Sequence, residues 1–278
     1  MSDDLDSHRQ FLLGVAYRML GSFAEAEDVV QEAFLRWSSA DRTDVEHPRA
    51  FLARIVSRLC LDRMKSAAAR REQYVGTWLP EPLIEPTTAP LADDLSMALL
   101  LTLERLSPLE RAAFLLHDVF DMDYAAIADT LGRSEAAVRQ LATRAREHVR
   151  AQRTRFSPTD EMRTKLADAF AVALAQGDVD GFARLLAEDA VLYSDGGGKR
   201  AAAINPIYGA HKISRFLTGV RRKFPPAIER VDRVLINGAP GFVMWTSDGV
   251  ETLSFEIDGD RITTIYAIRN PDKLRHLS

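Results

Sequence analysis

The stretch that most constrains the fold is 123–150, which predicts two helices joined by a short turn. Asp123 is a suitable N-cap for a first helix over 124–131, and Gly132 suits the left-handed residue that ends it. Ser134 then suits the cap of a second helix, whose apolar residues recur at helical spacing. The other side of that helix is basic and polar, with Arg139, Gln140, Thr143, Arg144, Arg146 and Arg150. This pattern is typical of a helix-turn-helix that binds the DNA major groove, and a solvated charged face is the alternative.

Positive charge is concentrated in two segments of an otherwise acidic chain. The 278 residues have a formal net charge of −4, which argues against a protein that coats nucleic acid through uniform basicity. Residues 49–71 nevertheless have a net charge of +6, and residues 133–155 have one of +5. Two separated basic segments indicate two local contacts with phosphates.

Two further helical segments begin the chain. The first covers 8–37 with a break at Gly21-Ser22, and the second covers about 49–69 after a polar loop over 38–48. The outer side of the first segment includes Asp28, Gln31, Glu32 and Leu35, a surface that suits a basic partner as well as solvent. The outer side of the second carries Arg54, Arg58, Arg63 and Lys65 with few compensating acids. Surface arginines that only cover apolar neighbours are the alternative there.

Residues 74–90, YVGTWLPEPLIEPTTAP, predict a linker without regular structure, because they contain four prolines and a glycine. Their aromatic and aliphatic side chains would be wasted on a free tether, so we expect the linker to dock on a surface. A helix over 91–106 follows. Ser107, Pro108 and Glu110 then form a capping-box pattern for a helix that runs to about residue 120. The first part of the chain is therefore predicted to be all-helical, in two blocks over 1–73 and 91–155.

The last part of the chain predicts an α+β domain over 159–278. Helical patterns cover 160–176, 178–186 and 209–224, and a short strand covers 190–195. Four β-rich runs follow, separated by the turn signals NGAPG, SDG and DGD, at 227–237, 242–247, 250–257 and 261–268. Helices followed by a meander suggest a curved sheet closed by helices into a cone with a pocket.

Several kinds of site are not expected. The single cysteine, Cys60, lies in an apolar helical run, so we expect a buried thiol, no internal disulfide and no cysteine-cluster metal site. We also expect no other metal site and no cofactor. The acidic N-terminal segment does not resemble a signal peptide, and no apolar run approaches the roughly 20 residues of a membrane span. We therefore expect a soluble, cytoplasmic protein with no membrane partner.

Three stretches of the helical part carry a resemblance to a known family: AEAEDVVQEAFLRW (24–37), PRAFLARIVSRLCLDRMK (48–65) and the segment 106–150. In this order and spacing they resemble the extracytoplasmic-function sigma factors of bacterial RNA polymerase. The remainder resembles the subgroup with a fused SnoaL-like domain of the NTF2-like fold, the SigJ type. Its marks here are TWLPEPL (77–83), SDGGGK (194–199) and NPDKL (270–274).

The resemblance implies a multidomain chain of two all-α sigma domains, the second a helix-turn-helix, followed by an α+β NTF2-like cone. Sigma region 2 would cover 1–73, the linker 74–90, sigma region 4 91–155 and the SnoaL-like domain 159–278. The partners would be promoter DNA and core RNA polymerase, through its β′ and β subunits. The chain would then be a transcription initiation factor and not an enzyme.

The resemblance also implies roles for individual residues. Asp28, Gln31, Glu32 and Leu35 would dock on the β′ coiled coil, and the loop over 38–48 would capture a flipped base of the −10 element. Arg54, Arg58, Arg63 and Lys65 would hold the −10 strand by its phosphates, although many members have Asn where Arg58 stands. Arg139, Gln140, Thr143 and Arg144 would lie nearest the base edges of the −35 element, with Arg146 and Arg150 nearer its phosphates.

For the fused domain we expect a regulatory role in place of, or beside, a separate anti-sigma factor. The predicted regulatory contact consists of Trp78, Leu79, Pro80, Asp195, Gly197, Lys199, Asn270, Pro271 and Asp272. A small ligand in the cone would be a further partner, and the candidate pocket groups are Tyr193, Asp195, Tyr208, His211, Trp245 and Glu251. Two alternatives remain at this point: a DNA-binding regulator that never contacts polymerase, and a SnoaL-type enzyme with a DNA-binding appendage.

Overall fold

The computed structural model describes residues 3–40, 45, 47–72, 74–85, 95–150, 160–223 and 227–277. The chain divides into two compact units, one made of 1–73 with 88–153 and the other of 74–87 with 154–278. Much of the predicted base-capturing loop over 38–48 and the end of the linker at 86–90 lie outside the described residues.

The first unit is built from seven α-helices among the described residues. They are α1 (Asp3–Leu20), α2 (Phe23–Ser39), α3 (Pro48–Glu72), α4 (Met97–Glu104), α5 (Pro108–Phe114), α6 (Tyr124–Leu131) and α7 (Glu135–Arg150). A π-helical turn over Leu115–Val119 continues α5 toward α6. The all-helical prediction for this part of the chain is confirmed.

Short-range signals set the ends of these helices, as the sequence predicts. Ser107 and Glu110 form the expected reciprocal capping box at the start of α5. The Asp123 side chain accepts a hydrogen bond from the Ala126 amide and caps α6. Gly132 ends α6 with φ at 63°, a left-handed conformation that favours glycine. The turn between α6 and α7 is therefore fixed by local chemistry.

A buried arginine holds the two halves of the first unit together. The Arg111 side chain is 1% exposed, and its guanidinium donates to the carbonyl oxygens of Leu103 and Met19, both at 2.7 Å. It also forms an ion pair with Glu104 at 2.6 Å. Because Met19 lies in α1 and Arg111 in α5, this one side chain joins the N-terminal helices to the helix-turn-helix block.

Among the described residues, the second unit is a seven-stranded mixed sheet with three α-helices. The helices are α8 (Asp160–Gln176), α9 (Val179–Leu185) and α10 (Ala210–Lys223). The strands are β1 (Ile84–Glu85), β2 (Leu186–Asp195), β3 (Ile207–Tyr208), β4 (Ile228–Ile236), β5 (Ala239–Thr246), β6 (Gly249–Asp258) and β7 (Arg261–Ile268). The sheet order is β1-β4-β5-β6-β7-β2-β3, with β2 parallel to β7 and the other pairs antiparallel. The predicted meander is β4 to β7.

The prediction that the linker lacks regular structure is wrong for residues 84 and 85. Ile84 and Glu85 pair with Ile236 and Leu235 and so add an edge strand to the sheet. The open edge of β4 offers backbone donors and acceptors that a passing extended segment can satisfy. The short strand β3 was also not predicted, and two residues are too few to show a periodic pattern.

The sheet has two differently used faces. Phe242, Leu253 and Phe255 belong to a core that packs against Phe170 of α8 and Phe182 of α9. On the opposite face, Tyr193 and Tyr266 stack with ring centroids 5.9 Å apart. Since strand residues alternate between faces, the pairing register assigns every strand residue to one side.

The Arg111→Ala substitution tests the internal join of the first unit. We expect the free energy of unfolding to fall by about 3 kcal/mol, because the carbonyls of Met19 and Leu103 and the Glu104 carboxylate lose a buried partner. Thermal and denaturant unfolding of the full chain measure this change. Arg105→Ala, at an exposed position of the same block, is the matched control, and equal stability of the two variants would contradict the role of Arg111.

Candidate nucleic-acid interface and linker-binding site

The exposed side of α7 forms a shallow basic groove. Arg139, Gln140, Thr143 and Arg144 line an open depression of about 310 Å³. The back of the helix is buried through Val138, Leu141, Ala142 and Ala145, so the rotation of α7 about its axis is fixed. The four residues predicted to lie nearest base edges are therefore together on the outer surface.

The arginines of α7 differ in how firmly the protein holds them. Arg139 pairs with Glu135 at 2.7 Å within the helix, and Arg144 pairs with Glu110 at 3.0 Å; both side chains are more than half exposed. Arg146 donates to the Asp118 carboxylate at 2.6 Å and to the Tyr124 hydroxyl at 2.9 Å. The bond to Asp118, above all, raises the pKa of Arg146. Arg146 is thus bound within the protein, whereas Arg139 and Arg144 remain near solvent.

The basic residues of α3 fall on different sides of the helix. Arg54 and Lys65 point away from the α1–α2 pair, and Arg54 lies over the Phe51 ring with 5.2 Å to its centroid. Arg63 turns toward α2, where it donates to the Glu25 carbonyl at 3.0 Å and lies 3.7 Å from the Asp28 carboxylate. Arg63 therefore points to the side of α3 opposite Arg54 and Lys65. The four predicted phosphate contacts do not form one continuous row along the helix.

Arg58 of α3 binds the end of α6. Its guanidinium donates to the carbonyl oxygens of Thr130 at 3.1 Å and Asp129 at 2.9 Å. Carbonyls in the last turn of a helix lack partners inside the helix and carry partial negative charge, so a cation suits this place. An open groove of about 430 Å³ lies beside the contact, between Phe51 and Arg54 on one side and Met122 and Ala126 on the other.

The outer face of α2 combines acidic groups with an exposed leucine. Leu35 is 67% exposed, and Asp28 and Gln31 are exposed beside it. Glu32 is half-buried and pairs with Arg36 at 2.6 Å. An exposed large apolar side chain among charges is typical of a protein contact.

The linker is bound to the C-terminal domain through the carboxylate of Asp195. This side chain is fully buried. One oxygen accepts from the Tyr74 hydroxyl and from the Gly197 amide at 2.9 Å. The other accepts from the Leu79 amide at 2.9 Å and the Lys273 ammonium at 2.6 Å. The Asp195 cluster (Tyr74, Leu79, Asp195, Asn270 and Lys273) therefore joins three stretches of the chain, and the linker docks as the sequence predicts.

The other members of the Asp195 cluster support each other. The Asn270 amide donates to the Tyr74 hydroxyl at 2.8 Å, and the Lys273 ammonium lies 4.2 Å from the centroid of the Trp78 ring. Burial and, next, the hydrogen bond to Asp195 raise the pKa of Tyr74, so its hydroxyl remains a donor. Tyr74 and Lys273 were not among the predicted contact residues, although Tyr74 opens the linker and Lys273 lies within NPDKL.

The glycines of SDGGGK allow close approach of the tail and the linker. Gly197 has φ at 62°, and a Cβ built on it would lie 2.3 Å from the Asn270 side chain. Gly198 has φ at 70°, and its Cβ would meet Val75 at 3.2 Å. Beyond the glycines, Lys199 pairs with Asp272, and the hydrogen bond from Lys199 is the main cause that lowers the pKa of Asp272. The predicted contact residues of SDGGGK and NPDKL are thus adjacent.

The candidate pocket groups of the cone do not converge. Tyr193, Asp195 and Trp245 belong to the sheet face opposite the helices, as their pairing with Tyr266, Ile268 and Val250 shows. Glu251 pairs with Met244 on the helix side, where Arg200 and Arg269 bind it at 3.0 and 2.7 Å. His211 lines a surface groove of about 630 Å³ together with Arg261, the first residue of β7. Tyr208 is exposed on β3.

Metal sites and membrane-spanning helices are both absent from the part of the chain that the structure describes. No group of three or more His, Cys, Asp and Glu side chains there could hold a metal ion. No helix there is both long and apolar enough to cross a membrane. Cys60 is buried in α3, as expected, and burial raises the pKa of its thiol.

Comparison with known proteins assigns each part of the chain. The models of sigma-70 region 2, sigma-70 region 4 and a SnoaL-like domain match residues 5–70, 96–149 and 166–274. The "ECF RNA polymerase sigma factor SigJ" of Mycobacterium tuberculosis (strain ATCC 25618 / H37Rv) is 39% identical over 287 residues, which cover 97% of this chain and 92% of that protein. The chain belongs to the extracytoplasmic-function (ECF) RNA polymerase sigma factors.

Other relatives agree with this ECF sigma factor assignment. The "Probable ECF RNA polymerase sigma factor SigI" of M. tuberculosis (strain CDC 1551 / Oshkosh) is 32% identical over 276 residues, with 96% of this chain and 92% of that protein covered. The crystal structure of M. tuberculosis SigJ superposes with a TM-score of 0.80 at 35% identity, over 99% of this chain and 98% of that one. The predicted family, with its fused SnoaL-like domain, and the predicted fold class are confirmed.

Substitution of Lys273, compared with substitution of Lys199, tests whether the Asp195 cluster holds the linker on the domain. In Lys273→Met the buried Asp195 carboxylate loses its ion pair, so we expect the free energy that holds the linker on the domain to fall by about 3 kcal/mol. Amide hydrogen exchange at Leu79 should then become about 100-fold faster.

The matched control is Lys199→Met, which removes an ion pair whose lysine is 54% exposed against 12% for Lys273. Exposed pairs contribute at most about 1 kcal/mol, so exchange at Leu79 should change by less than about fivefold. Equal exchange rates in the two variants would show that Lys273 does not hold the linker.

Proposed function

We propose that this ECF sigma factor binds core RNA polymerase, reads the −35 element with α7 and the −10 element with α3, and starts transcription from promoters that carry both. The observation that carries the proposal is the pair of exposed basic helices, one in the segment matched by sigma-70 region 2 and one in that matched by region 4. A single-reader regulator would leave α3 and the outer face of α2 without a role.

At the −35 element, Arg139, Gln140, Thr143 and Arg144 are the proposed base contacts. Arginine and glutamine make bidentate hydrogen bonds with guanine and adenine edges in the major groove. Arg150 is exposed at the end of α7 and is the proposed phosphate contact. For Arg146 we propose a positioning role instead, because two of its donors already bind Asp118 and Tyr124 inside the protein.

At the −10 element, Arg54 and Lys65 are the proposed phosphate contacts, and Arg63 supports the face of α2. Arg58 can join them only after it leaves the carbonyls of α6. The −10 and −35 elements lie about 25 base pairs apart, roughly 85 Å along DNA at 3.4 Å per pair. Within one compact unit, where Arg58 joins α3 to the helix that precedes α7, the two reading helices cannot span that distance. We propose that the unit opens when polymerase binds and that Arg58 is then released.

The proposed polymerase contact is the outer face of α2, with Leu35 as its apolar centre and Asp28 and Gln31 around it. Glu32 is a weaker candidate for direct contact, because Arg36 and Arg63 lie on its carboxylate. A buried apolar anchor with a polar rim is the usual arrangement of a protein interface.

For the SnoaL-like domain we propose control of the distance between the two DNA-binding helices. Between the end of α3 and the start of α4 lie 24 residues, which could extend to about 80 Å at most. Residues 74–85 are docked on the C-terminal domain, so their span is fixed, and the other 12 of the 24 have a reach of at most about 40 Å. A ligand or partner that loosens the Asp195 cluster would lengthen this reach.

We propose no catalytic step for the cone. The acid–base candidates Asp195 and His211 lie on different parts of the domain, and Asp195 is fully occupied by its four donors. A general acid or base needs to be within hydrogen-bond reach of a substrate, and the Asp195 carboxylate has no free side for one.

Promoter binding with and without core polymerase tests the proposed function. Electrophoretic or fluorescence titration of the duplex upstream of the gene should show weak binding by the chain alone and tight binding by the reconstituted holoenzyme. Tight, sequence-specific binding that is unaffected by core polymerase would indicate the rival function, a regulator that acts without polymerase.

The proposed base contacts can be separated from the phosphate contact by substitution. Arg139→Ala and Gln140→Ala should each cost about 1–3 kcal/mol of holoenzyme binding at the −35 element and relax the preference for particular bases there. Arg150→Ala should weaken binding to all duplexes alike and lower the salt dependence. Competition with single-base −35 variants measures both effects, and unchanged base preference in Arg139→Ala and Gln140→Ala would contradict the assignment.

The Leu35→Asp substitution tests the polymerase contact. A charge at the apolar centre of the face should reduce core binding at least about tenfold, since central interface residues typically contribute 2 kcal/mol or more. Co-elution with core polymerase on gel filtration measures the change. Val172→Asp, at an exposed apolar position of α8, is the matched control, and equal core binding by the two variants would argue against this surface.

A further inference from the structure

Helix α10 of the SnoaL-like domain has a concentration of positive charge that the sequence analysis missed. Its 14 residues contain five Lys or Arg and no Asp or Glu. The rest of 160–278 holds eleven basic and sixteen acidic residues. The interpretation that the chain is acidic outside its two basic segments is therefore wrong at 212–223.

Three of the five basic residues of α10 share one side of the helix, and Arg221 lies on the other side. At 3.6 residues per turn, Lys212, Arg215, Gly219 and Arg222 fall within a stripe about 80° wide. The opposite side is buried through Ile213 and Ser214, and the Ser214 hydroxyl donates to the Val179 carbonyl of α9. Packing on the domain therefore fixes the basic stripe (Lys212, Arg215, Gly219, Arg222) outward.

The basic stripe lacks the internal ion pairs that other arginines of this domain make. Arg200 and Arg269 bind Glu251, Arg233 binds Asp168, and Arg230 binds Asp232. Among the described residues, no carboxylate lies within 4.0 Å of Lys212, Arg215 or Arg222, and all three side chains are exposed. An unpaired row of like charges raises the local potential and attracts an anionic partner.

A glycine at the centre of the basic stripe points to an extended, closely approaching partner. A glycine inside a helix is unfavourable relative to alanine, and packing does not require one at Gly219, because a Cβ there would meet nothing within 4 Å. A position without a side chain between flanking cations allows a phosphate backbone to approach the helix surface.

We propose that the basic stripe of α10 binds the phosphate backbone of promoter DNA outside the two elements read by α3 and α7. The inference rests on the proposed function, because it adds a third, sequence-independent contact to the same complex. Duplex DNA is the partner that the surface fits, since it presents a regular row of phosphates to a row of exposed cations. In this role the fused domain contributes directly to promoter affinity.

The test compares two triple variants in the holoenzyme. Lys212→Gln/Arg215→Gln/Arg222→Gln removes the stripe, and Lys165→Gln/Arg184→Gln/Arg230→Gln removes three exposed charges elsewhere in the domain. Binding to the promoter duplex is titrated from about 50 to about 200 mM KCl. Each lost phosphate contact lowers the slope of log K against log [KCl] by about 0.9, so the stripe variant should lose about 2 to 3 and the control should keep the wild-type slope.

The outcomes separate this inference from the proposed function. A stripe variant that keeps the wild-type slope overturns the DNA contact. A stripe variant that no longer co-elutes with core polymerase also overturns it, because polymerase would then be the partner of the stripe. A wild-type holoenzyme that binds the promoter no better than core polymerase overturns the proposed function as well. Gly219→Gln keeps every charge and should weaken promoter binding with little change in slope, and unaltered binding by this variant also counts against the proposal.

Discussion

The carboxylate of Asp195 is the group on which the organisation of the C-terminal unit depends. A fully buried negative charge is tolerated only when donors surround it, and here the donors come from the linker, the SDGGGK turn and the NPDKL tail. These three stretches are far apart in sequence. Their common feature is physical: each supplies a donor to Asp195 or a glycine that lets the donors approach it. The linker is therefore part of the SnoaL-like domain.

This docking changes what the linker can do between the two DNA-binding helices. A free segment of 24 residues would let α3 and α7 sample many separations. A segment with half of its length bound offers fewer separations. The bound half is released only when a buried ion pair and the pairing of β1 with β4 are both broken. Arg58 has the opposite effect, because its hydrogen bonds to the last turn of α6 keep α3 close to the helix-turn-helix in the first unit. In the proposed opening, polymerase binding has to overcome both the Arg58 contact and the buried hydrogen bond from Arg111 to Met19. The Asp195 cluster would then limit how far the helices separate.

Local chemistry made much of the fold predictable from sequence. Asp123, Gly132 and the Ser107 capping box act on their own neighbours, so their patterns identified helix ends correctly. Roles that depend on distant partners were not predictable: nothing near Arg58, Arg63 or Arg146 in the sequence indicates α6, α2 or Asp118. The pocket candidates failed for a similar reason, because the face on which Tyr193 or Glu251 lies follows from the strand register. The positive charge of α10 can be read from the sequence, but it is hidden when charge is summed over the whole C-terminal domain, which is acidic elsewhere.

Run-off transcription from promoters that differ only in the spacing of the −10 and −35 elements tests the central claim most directly. Core polymerase is combined with the full chain or with its Lys273→Met variant, and transcript yield is measured as base pairs are added to or removed from the spacer. If the docked linker sets the reach, the wild-type chain should be active over a narrow range of spacings and the variant over a wider one. Identical spacing profiles for the two chains, with transcription intact, would contradict a role for the docked linker in promoter spacing.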